Sequence, residues 1–192
     1  MNLTIIGAGY VGLITAVVFA HLGNKVWVVE IDKNKFEKLS KGEVPFYEQG
    51  IAELLQENLA SGQIKFTSGY STAIPEAEII FICVGTPTKN GRADLTYVYT
   101  AAKEIAKNLR APSIVVIKST VPPGINHKIE AKMKKLTRVD FEIASVPEFL
   151  REGRALHDAL HPHRVVIGTQ NKKVAKKLLE LHRKIPGKRI VC

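Results

Sequence analysis

The side chains able to do chemistry in this sequence sit in short stations at the ends of apolar runs. Gly7-Ala8-Gly9-Tyr10-Val11-Gly12 spaces its glycines as Gly-x-Gly-x-x-Gly. In that pattern Gly7 permits a tight turn, Gly9 leaves the backbone open to a pyrophosphate, and Gly12 lets a helix pack close to a strand. The N–H groups at the start of such a helix, with their partial positive charge, face the phosphates. Glu30 ends the next apolar stretch. A carboxylate there accepts hydrogen bonds from both hydroxyls of an adenosine ribose and repels a 2′-phosphate, which favours NAD over NADP. Lys35 stands one turn into the following helix, where it either reaches the adenosine end of the cofactor or lies as an ordinary exposed lysine. Thr86 and the pair Ser119-Thr120 present hydroxyls after two further apolar runs. Thr86 is thereby placed to touch the cofactor, or else simply forms a turn. Glu148 and Glu152 lie within Pro147-Glu148-Phe149-Leu150-Arg151-Glu152-Gly153. On a helical turn their i, i+4 spacing would set both carboxylates on one face. A carboxylate within reach of water can act as a general base.

These stations require alternating strands and helices. Leu3 to Ile6 is a strand that runs straight into the glycines. Leu13 to Leu22 repeats apolar residues at helical spacing and stops at Gly23-Asn24. Lys25 to Glu30 is a second strand, and Asp32 is a good N-cap for the helix behind it. Residues 41–50 read as a loop. Ile51 to Leu59 is an amphipathic helix with Ile51, Leu54, Leu55 and Leu59 on one face. Ile64-Lys65-Phe66 is a short strand, and Ser71 to Glu76 makes one helical turn. Glu78 to Val84 is a continuous apolar strand, which suits a parallel sheet covered on both faces; Ser113 to Lys118 is the next buried strand and Asp140 to Val146 a further one. Helices from Asp94 to Leu109 and through Ile129 and Met133 to Leu136 separate them. Arg164 to Gly168 is another strand, Val174 to Ile185 a basic amphipathic helix, and Ile190-Val191 a last strand start. The pattern predicts an α/β fold of Rossmann type over residues 1–192, doubly wound, its sheet mostly parallel with helices on both faces. In open sheets of this kind ligands bind beyond the carboxyl ends of the strands, where Thr86 and Thr120 fall.

With 45% hydrophobic residues the chain can bury a substantial core. No apolar run reaches the length of a membrane span, and strand one begins almost at the first residue, without a leader pattern. Two cysteines, Cys83 and Cys192, do not make a disulfide framework, so a reducing cytoplasm fits, and Cys83 reads as plain core. The net charge of +10 lies largely in lysine-rich helix faces such as Lys172-Lys173 and Lys176-Lys177. No aromatic residues interleave with these charges, which argues against a nucleic-acid platform. His157, His161 and His163 cluster without a metal-site frame of cysteines or carboxylates, so a structural or surface role is expected and no metal.

Four stations in order, Gly7-Ala8-Gly9-Tyr10-Val11-Gly12, Val84-Gly85-Thr86-Pro87, Ser119-Thr120-Val121-Pro122-Pro123-Gly124 and Pro147 to Gly153, resemble the nucleotide-sugar 6-dehydrogenases of the UDP-glucose/GDP-mannose dehydrogenase family. Lys41-Gly42-x-x-Pro45-x-x-Glu48 and Gly91-x-x-Asp94-Leu95 look most like its UDP-glucose branch. The resemblance implies oxidation of the sugar C6 alcohol to a carboxylate with two NAD, through a cysteine-bound thioester that is then hydrolysed. It implies NAD contacts from Tyr10, Val11, Glu30, Lys35, Thr86, Thr120 and Glu152. The UDP-sugar site would be lined by Glu148, Phe149, Leu150, Arg151 and Glu152. Glu148 would serve as the hydrolytic base, with Thr120 helping to hold the water.

Some residues depart from the family pattern. The family often has Asn at Val146 and Asp at His163, and Glu30 replaces the usual Asp. The His163 departure bears on the local turn. The catalytic cysteine of the family lies in a later domain, so the chain is expected to be the N-terminal, cofactor-binding part of a longer enzyme, one that assembles as a homo-oligomer through its central region. Cys192 does not match the family's catalytic position. A freestanding NAD-binding module without chemistry is the rival expectation, and a gene interrupted at Cys192 is another account of where the chain ends.

Overall fold

A computed structural model describes residues 1–192. In chain order it runs β1 (Asn2–Ile6), α1 (Tyr10–His21), β2 (Lys25–Val29), α2 (Lys33–Ser40), α3 (Ile51–Ala60), β3 (Ile64–Thr67), α4 (Tyr70–Ala73) and β4 (Ile79–Ile82). A two-stranded hairpin, β5 (Thr88–Lys89) and β6 (Arg92–Ala93), precedes α5 (Thr96–Asn108), β7 (Ser113–Ile117), α6 (Ile125–Lys134) and β8 (Phe141–Ser145). The remainder is α7 (Ala155–Leu160), β9 (Arg164–Ile167), α8 (Lys172–Leu181) and β10 (Lys188–Val191).

Six strands form one parallel sheet in the order β3-β2-β1-β4-β7-β8. The chain starts in the middle, builds outward to β3, then returns to β4 on the other side of β1. This is the doubly wound order, and its reversal leaves a crevice beyond the carboxyl ends of β1 and β4. β9 and β10 pair in parallel as a separate small sheet, joined to the main one by the antiparallel bridge of Ser145 with Gly168.

Alternation along each strand feeds two cores. Leu3, Ile5, Ile79, Phe81 and Val116 pack against α1, α3 and α8 on one face. Ile6, Ile80, Ile82, Val115 and Ile117 pack against α5 and α6 on the other. α1 is buried from Gly12 to Ala20 because it is apolar all round and lies between the sheet and outer helices. Its end is a glycine stop: Gly23 takes a φ of 92°, and Gly23 and Asn24 donate back to Ala20 and Phe19 carbonyls at 2.9 and 3.1 Å. No helix is long and apolar enough to cross a membrane.

Two elements differ from the sequence expectation. The hairpin turns on Asn90 and Gly91, both at positive φ, and is too short to show strand alternation. α7 has no periodic stretch of its own. It is fixed by tertiary contacts, as the site below makes plain. The loop over residues 41–50, the Asp32 cap and the helical turn near residue 71 stand as expected.

Candidate cofactor and substrate site

The glycine loop joins β1 to α1 at the mouth of the crevice. Gly7 has φ 91°, and a Cβ there would stand 3.0 Å from the Cys83 carbonyl oxygen. A Cβ on Gly12 would overlap the Gly7 carbonyl oxygen at 1.9 Å, so only glycine lets α1 start this close to the loop. Gly9 is different in kind. Its Cβ would meet nothing within 4 Å, because it points into open space above the loop. The first helical bond of α1 is Leu13 N–H to the Gly9 carbonyl at 2.9 Å. The N–H groups of Tyr10, Val11 and Gly12 therefore precede the helical ladder and are available to an anion. These features form a cradle that fits a pyrophosphate.

A cleft runs from Gly7 and Gly9 past Glu30 and Lys35 to Tyr97 and Ala101. Glu30 is buried, with one carboxylate oxygen accepting from Ala8 N–H at 3.2 Å and the other from Asp32 N–H at 3.0 Å. Lys35 reaches back to Glu30 at 3.2 Å, so the two side chains form a pair along the cleft wall. The carboxylate thus also braces the glycine loop, and its remaining lone pairs face the cleft. Ile31 and Tyr97, at 66% and 55% exposure, leave apolar surface at the cleft's edge. Gly85 lines the cleft and half-buried Thr86 follows it. Ser119 locks the loops after β4 and β7 together by donating to the Val84 carbonyl at 2.6 Å, which leaves Thr120 exposed beside it.

Tyr10 does not turn its side chain into this cleft. Its hydroxyl donates to Glu48 Oε2 at 2.5 Å and accepts from Gly153 N–H at 3.0 Å. Burial, with the Glu48 hydrogen bond, pushes the phenol up to about 12. What Tyr10 offers a cofactor is its backbone.

The segment after β8 corrects one expectation. Residues 146–151 form no helix, so Glu148 and Glu152 do not share a helix face. Pro147 holds the preceding residue out of helical geometry. Glu148 instead accepts from Leu150 N–H at 2.8 Å and lines a cavity behind the segment. Glu152 is exposed and close enough to the Tyr10 phenol to raise its pKa. Arg151 is exposed, but its guanidinium is forked onto Asp158 of α7 at 2.9 and 2.7 Å. That fork holds the Asp158 carboxyl well below the usual carboxylate range. Phe149 is exposed under the Arg164 guanidinium at 4.4 Å, and Leu150 packs on the core.

The cavity behind Glu148 also holds a residue that the sequence reading passed over. Lys118, at the end of β7, projects into it beside His182 and Glu148. No carboxylate forms an ion pair with Lys118, and burial pushes its ammonium below the ordinary lysine range. A lysine directly following a buried apolar strand was the available signal. Cys83 lies under Gly12, buried, its thiol pushed up to about 12 by that burial. His157 and His161 stack at 5.0 Å, and no group of side chains is placed to hold a metal ion. At His163 the turn is built from backbone: its carbonyl accepts from Lys188 N–H at 3.0 Å, and Gly187 packs against Pro162.

The family model for the UDP-glucose/GDP-mannose dehydrogenase family, NAD binding domain, matches residues 1–186. The chain belongs to this family. Among curated relatives it is 44% identical over 186 residues to the UDP-glucose 6-dehydrogenase YwqF of Bacillus subtilis, covering 95% of this chain and 42% of that protein. It is 46% identical over 171 residues to a UDP-glucose 6-dehydrogenase of Rhizobium meliloti, covering 88% of this chain and 39% of the relative. The chain thus spans about two fifths of the length of the curated relatives it matches. A UDP-glucose dehydrogenase structure from Pyrobaculum islandicum superposes with a TM-score of 0.94 at 38% identity, over 98% of this chain and 45% of that one. A GDP-mannose dehydrogenase from Pseudomonas aeruginosa superposes at 0.92 with 34% identity, over 100% and 46%. As the NAD-binding domain of this dehydrogenase family, the chain takes NAD as its cofactor, in keeping with the cradle at Gly9 and the acid at Glu30.

Proposed function

We propose that this chain is the N-terminal NAD-binding portion of a UDP-glucose 6-dehydrogenase, which oxidises UDP-glucose to UDP-glucuronate with two NAD. The observation that carries the reading is the meeting of the glycine cradle with the Glu148–Glu152 segment, whose Gly153 N–H is bonded to Tyr10 at 3.0 Å. A domain that only sensed NAD has no need of a carboxylate-bearing segment tied to its cradle. The UDP-glucose 6-dehydrogenase relatives at 44% and 46% identity support the choice of sugar nucleotide.

In this reading Gly7, Gly9, Val11 and Gly12 seat the pyrophosphate, and Tyr10 contributes its backbone N–H. Glu30 and Lys35 hold the ribose, while Thr86, Thr120 and Glu152 flank the nicotinamide end. Bound NAD would supply the hydride acceptor. Glu148 has one oxygen fixed by Leu150 N–H, which aims the other at a water, and exposed Thr120 helps hold that water. Phe149, Leu150 and Arg151 shape the sugar wall, with Arg151 acting through its fork on Asp158 rather than by a free guanidinium. The longer protein would supply the thiol, work in the cytoplasm and assemble as a homo-oligomer through regions beyond this chain. The unpaired Cys83 and Cys192 support the compartment.

Calorimetric titration of NAD and NADP tests the cofactor half of the reading. NAD should bind at least about tenfold more tightly, equivalent to roughly 1.4 kcal/mol. Equal affinities, or NADP binding more tightly, would remove Glu30 from the ribose. In the longer protein, Glu148→Gln should oxidise the alcohol yet accumulate a covalent sugar adduct visible by mass spectrometry. Unimpaired steady turnover there would exclude Glu148 as the base.

A further inference from the structure

We infer that Tyr10 and Glu48 are positioning residues that couple an occupied cofactor cradle to the segment carrying Glu148 and Glu152. The inference rests on the cofactor reading given above and extends it to a residue that this reading leaves without a role. Glu48 lies at the end of the loop over residues 41–50 and is only 5% exposed. Both its oxygens are engaged: Oε2 accepts from the Tyr10 hydroxyl at 2.5 Å, and Oε1 accepts from Leu156 N–H at 3.2 Å. The same Tyr10 hydroxyl accepts from Gly153 N–H at 3.0 Å. Two neighbouring side chains therefore hold both ends of the turn from Gly153 to Leu156, immediately after Glu152. The Tyr10 ring is fixed by Phe46 from the Glu48 loop, with centroids 4.8 Å apart.

The other end of Tyr10 is the cradle itself. Tyr10 is the first residue of α1, directly after Gly9, and its backbone N–H is one of those free to meet a phosphate. One residue thus bonds the cofactor through its main chain and the Glu152 turn through its hydroxyl. Seating a pyrophosphate fixes the backbone of Tyr10, and that fixes the hydroxyl on which Gly153 hangs. Glu48 keeps the hydroxyl oriented by accepting its O–H as a hydrogen bond, so that the oxygen lone pairs face the Gly153 N–H. A buried carboxylate costs desolvation and is a poor device for stability alone. It is a good device for fixing the direction of an O–H group, since it accepts and never donates.

Hydrogen–deuterium exchange on the 192-residue chain, with and without saturating NAD, tests this, with NAD affinity measured in parallel by calorimetry. In the wild type, NAD should slow exchange at Gly153 to Leu156 by about tenfold or more. Tyr10→Phe keeps the ring on Phe46 but removes the hydroxyl. It should lose this slowing even when saturated. Glu48→Ala should lose it as well, while Glu48→Gln, which retains an acceptor oxygen, should restore most of it. A purely structural role predicts faster exchange in the variants with and without NAD alike, not loss of the NAD-dependent change. Slowing that persists in saturated Tyr10→Phe overturns the inference, as does NAD binding to the wild type without any slowing at these amides. NAD that fails to bind the wild type overturns the cofactor reading and the inference with it. If Glu48→Ala does not fold, Tyr10→Phe and Glu48→Gln decide the matter.

Discussion

Gly9 and Gly12 are close in sequence, yet a side chain would harm them for opposite reasons. Gly9 has φ −68° and ψ −175°, which any residue adopts, and no atom within 4 Å of an added Cβ. Gly9→Val should therefore fold normally, with a thermal midpoint within a few degrees of wild type, and lose NAD binding by about a hundredfold or more, roughly 2.7 kcal/mol. Gly12→Ala puts a methyl 1.9 Å from the Gly7 carbonyl oxygen, a backbone atom that cannot swing aside. It should lower stability by about 1–3 kcal/mol and weaken NAD through a distorted loop. Thermal unfolding paired with calorimetry separates the two, and a destabilised Gly9→Val would show that the space above the loop is not the cradle. Glu30 combines both kinds of role, because it braces Ala8 and Asp32 while facing the cleft. Glu30→Ala should consequently cost stability, by about 1–3 kcal/mol for the N–H groups it strands, and narrow the preference for NAD over NADP. Parallel titrations of the variant with both cofactors read the second effect.

α8 carries the clearest dependence on pH. Its C-cap, His182, is 4% exposed, edge-on to Phe19, and bonded through Nδ1 to the Leu178 carbonyl at 2.7 Å. Burial, reinforced by the charges of Lys118 and Arg189, pushes the imidazole down to about 4. The unfolded chain takes up this proton first as pH falls, so the contribution is complete above the unfolded value of about 6.5 and is lost on the way down through 4. The span corresponds to about 3 kcal/mol as an order of magnitude. Denaturant unfolding at a series of pH values should show stability falling below about 6.5, and His182→Phe should flatten that slope. A slope unchanged in the variant would assign the acid sensitivity elsewhere. His182 also marks the boundary of what sequence shows. The helices and strands of the main sheet were legible because their apolar runs and the turn residues that end them are local, and so was the glycine cradle, whose residues are contiguous. α7 was not, since it is tied down by Glu48, which is 108 residues from the Leu156 N–H it accepts from, and by the Arg151–Asp158 fork, which no helical spacing reveals. The β5–β6 hairpin did carry a signal in Asn90-Gly91, but its flanks are too short for alternation to reinforce it. Reading Glu148 and Glu152 by helical spacing failed because the segment forms no helix, with Glu148 bonded locally to Leu150 N–H and a turn set at Glu152-Gly153, and no spacing rule reveals that the Tyr10 hydroxyl faces Glu48.

At the scale of the whole chain, the cofactor cradle and the turn after Glu152 share Tyr10, and neither thiol is placed for covalent chemistry. The overall reaction proposed for the longer protein needs a nucleophilic thiol to carry the second oxidation. Cys83 cannot serve: it is 6% exposed, lies beneath Gly12, and burial pushes it up to about 12, which leaves it almost wholly protonated near neutral pH. Cys192 is exposed, at the end of β10, and its thiol approaches only the Ile167 carbonyl, at 3.9 Å. β10 belongs to the small sheet with β9, outside the six strands whose ends form the crevice. The 192-residue chain should therefore bind NAD and form no UDP-glucuronate when given UDP-glucose. Cleft and carboxylates would be present, but Glu148 would have no thioester to hydrolyse. Following UDP-glucuronate by mass spectrometry, with UDP-glucose and NAD supplied, is sufficient as a first measurement. Cys83→Ala and Cys192→Ser complete it, because neither should alter NAD affinity by more than about threefold, less than 1 kcal/mol. UDP-glucuronate formed by the chain carrying both Cys83→Ala and Cys192→Ser would show that its remaining residues perform the oxidation without either thiol. The chemistry would then have to be assigned to the groups that remain, with Glu148 and Lys118, which line one cavity, first among them.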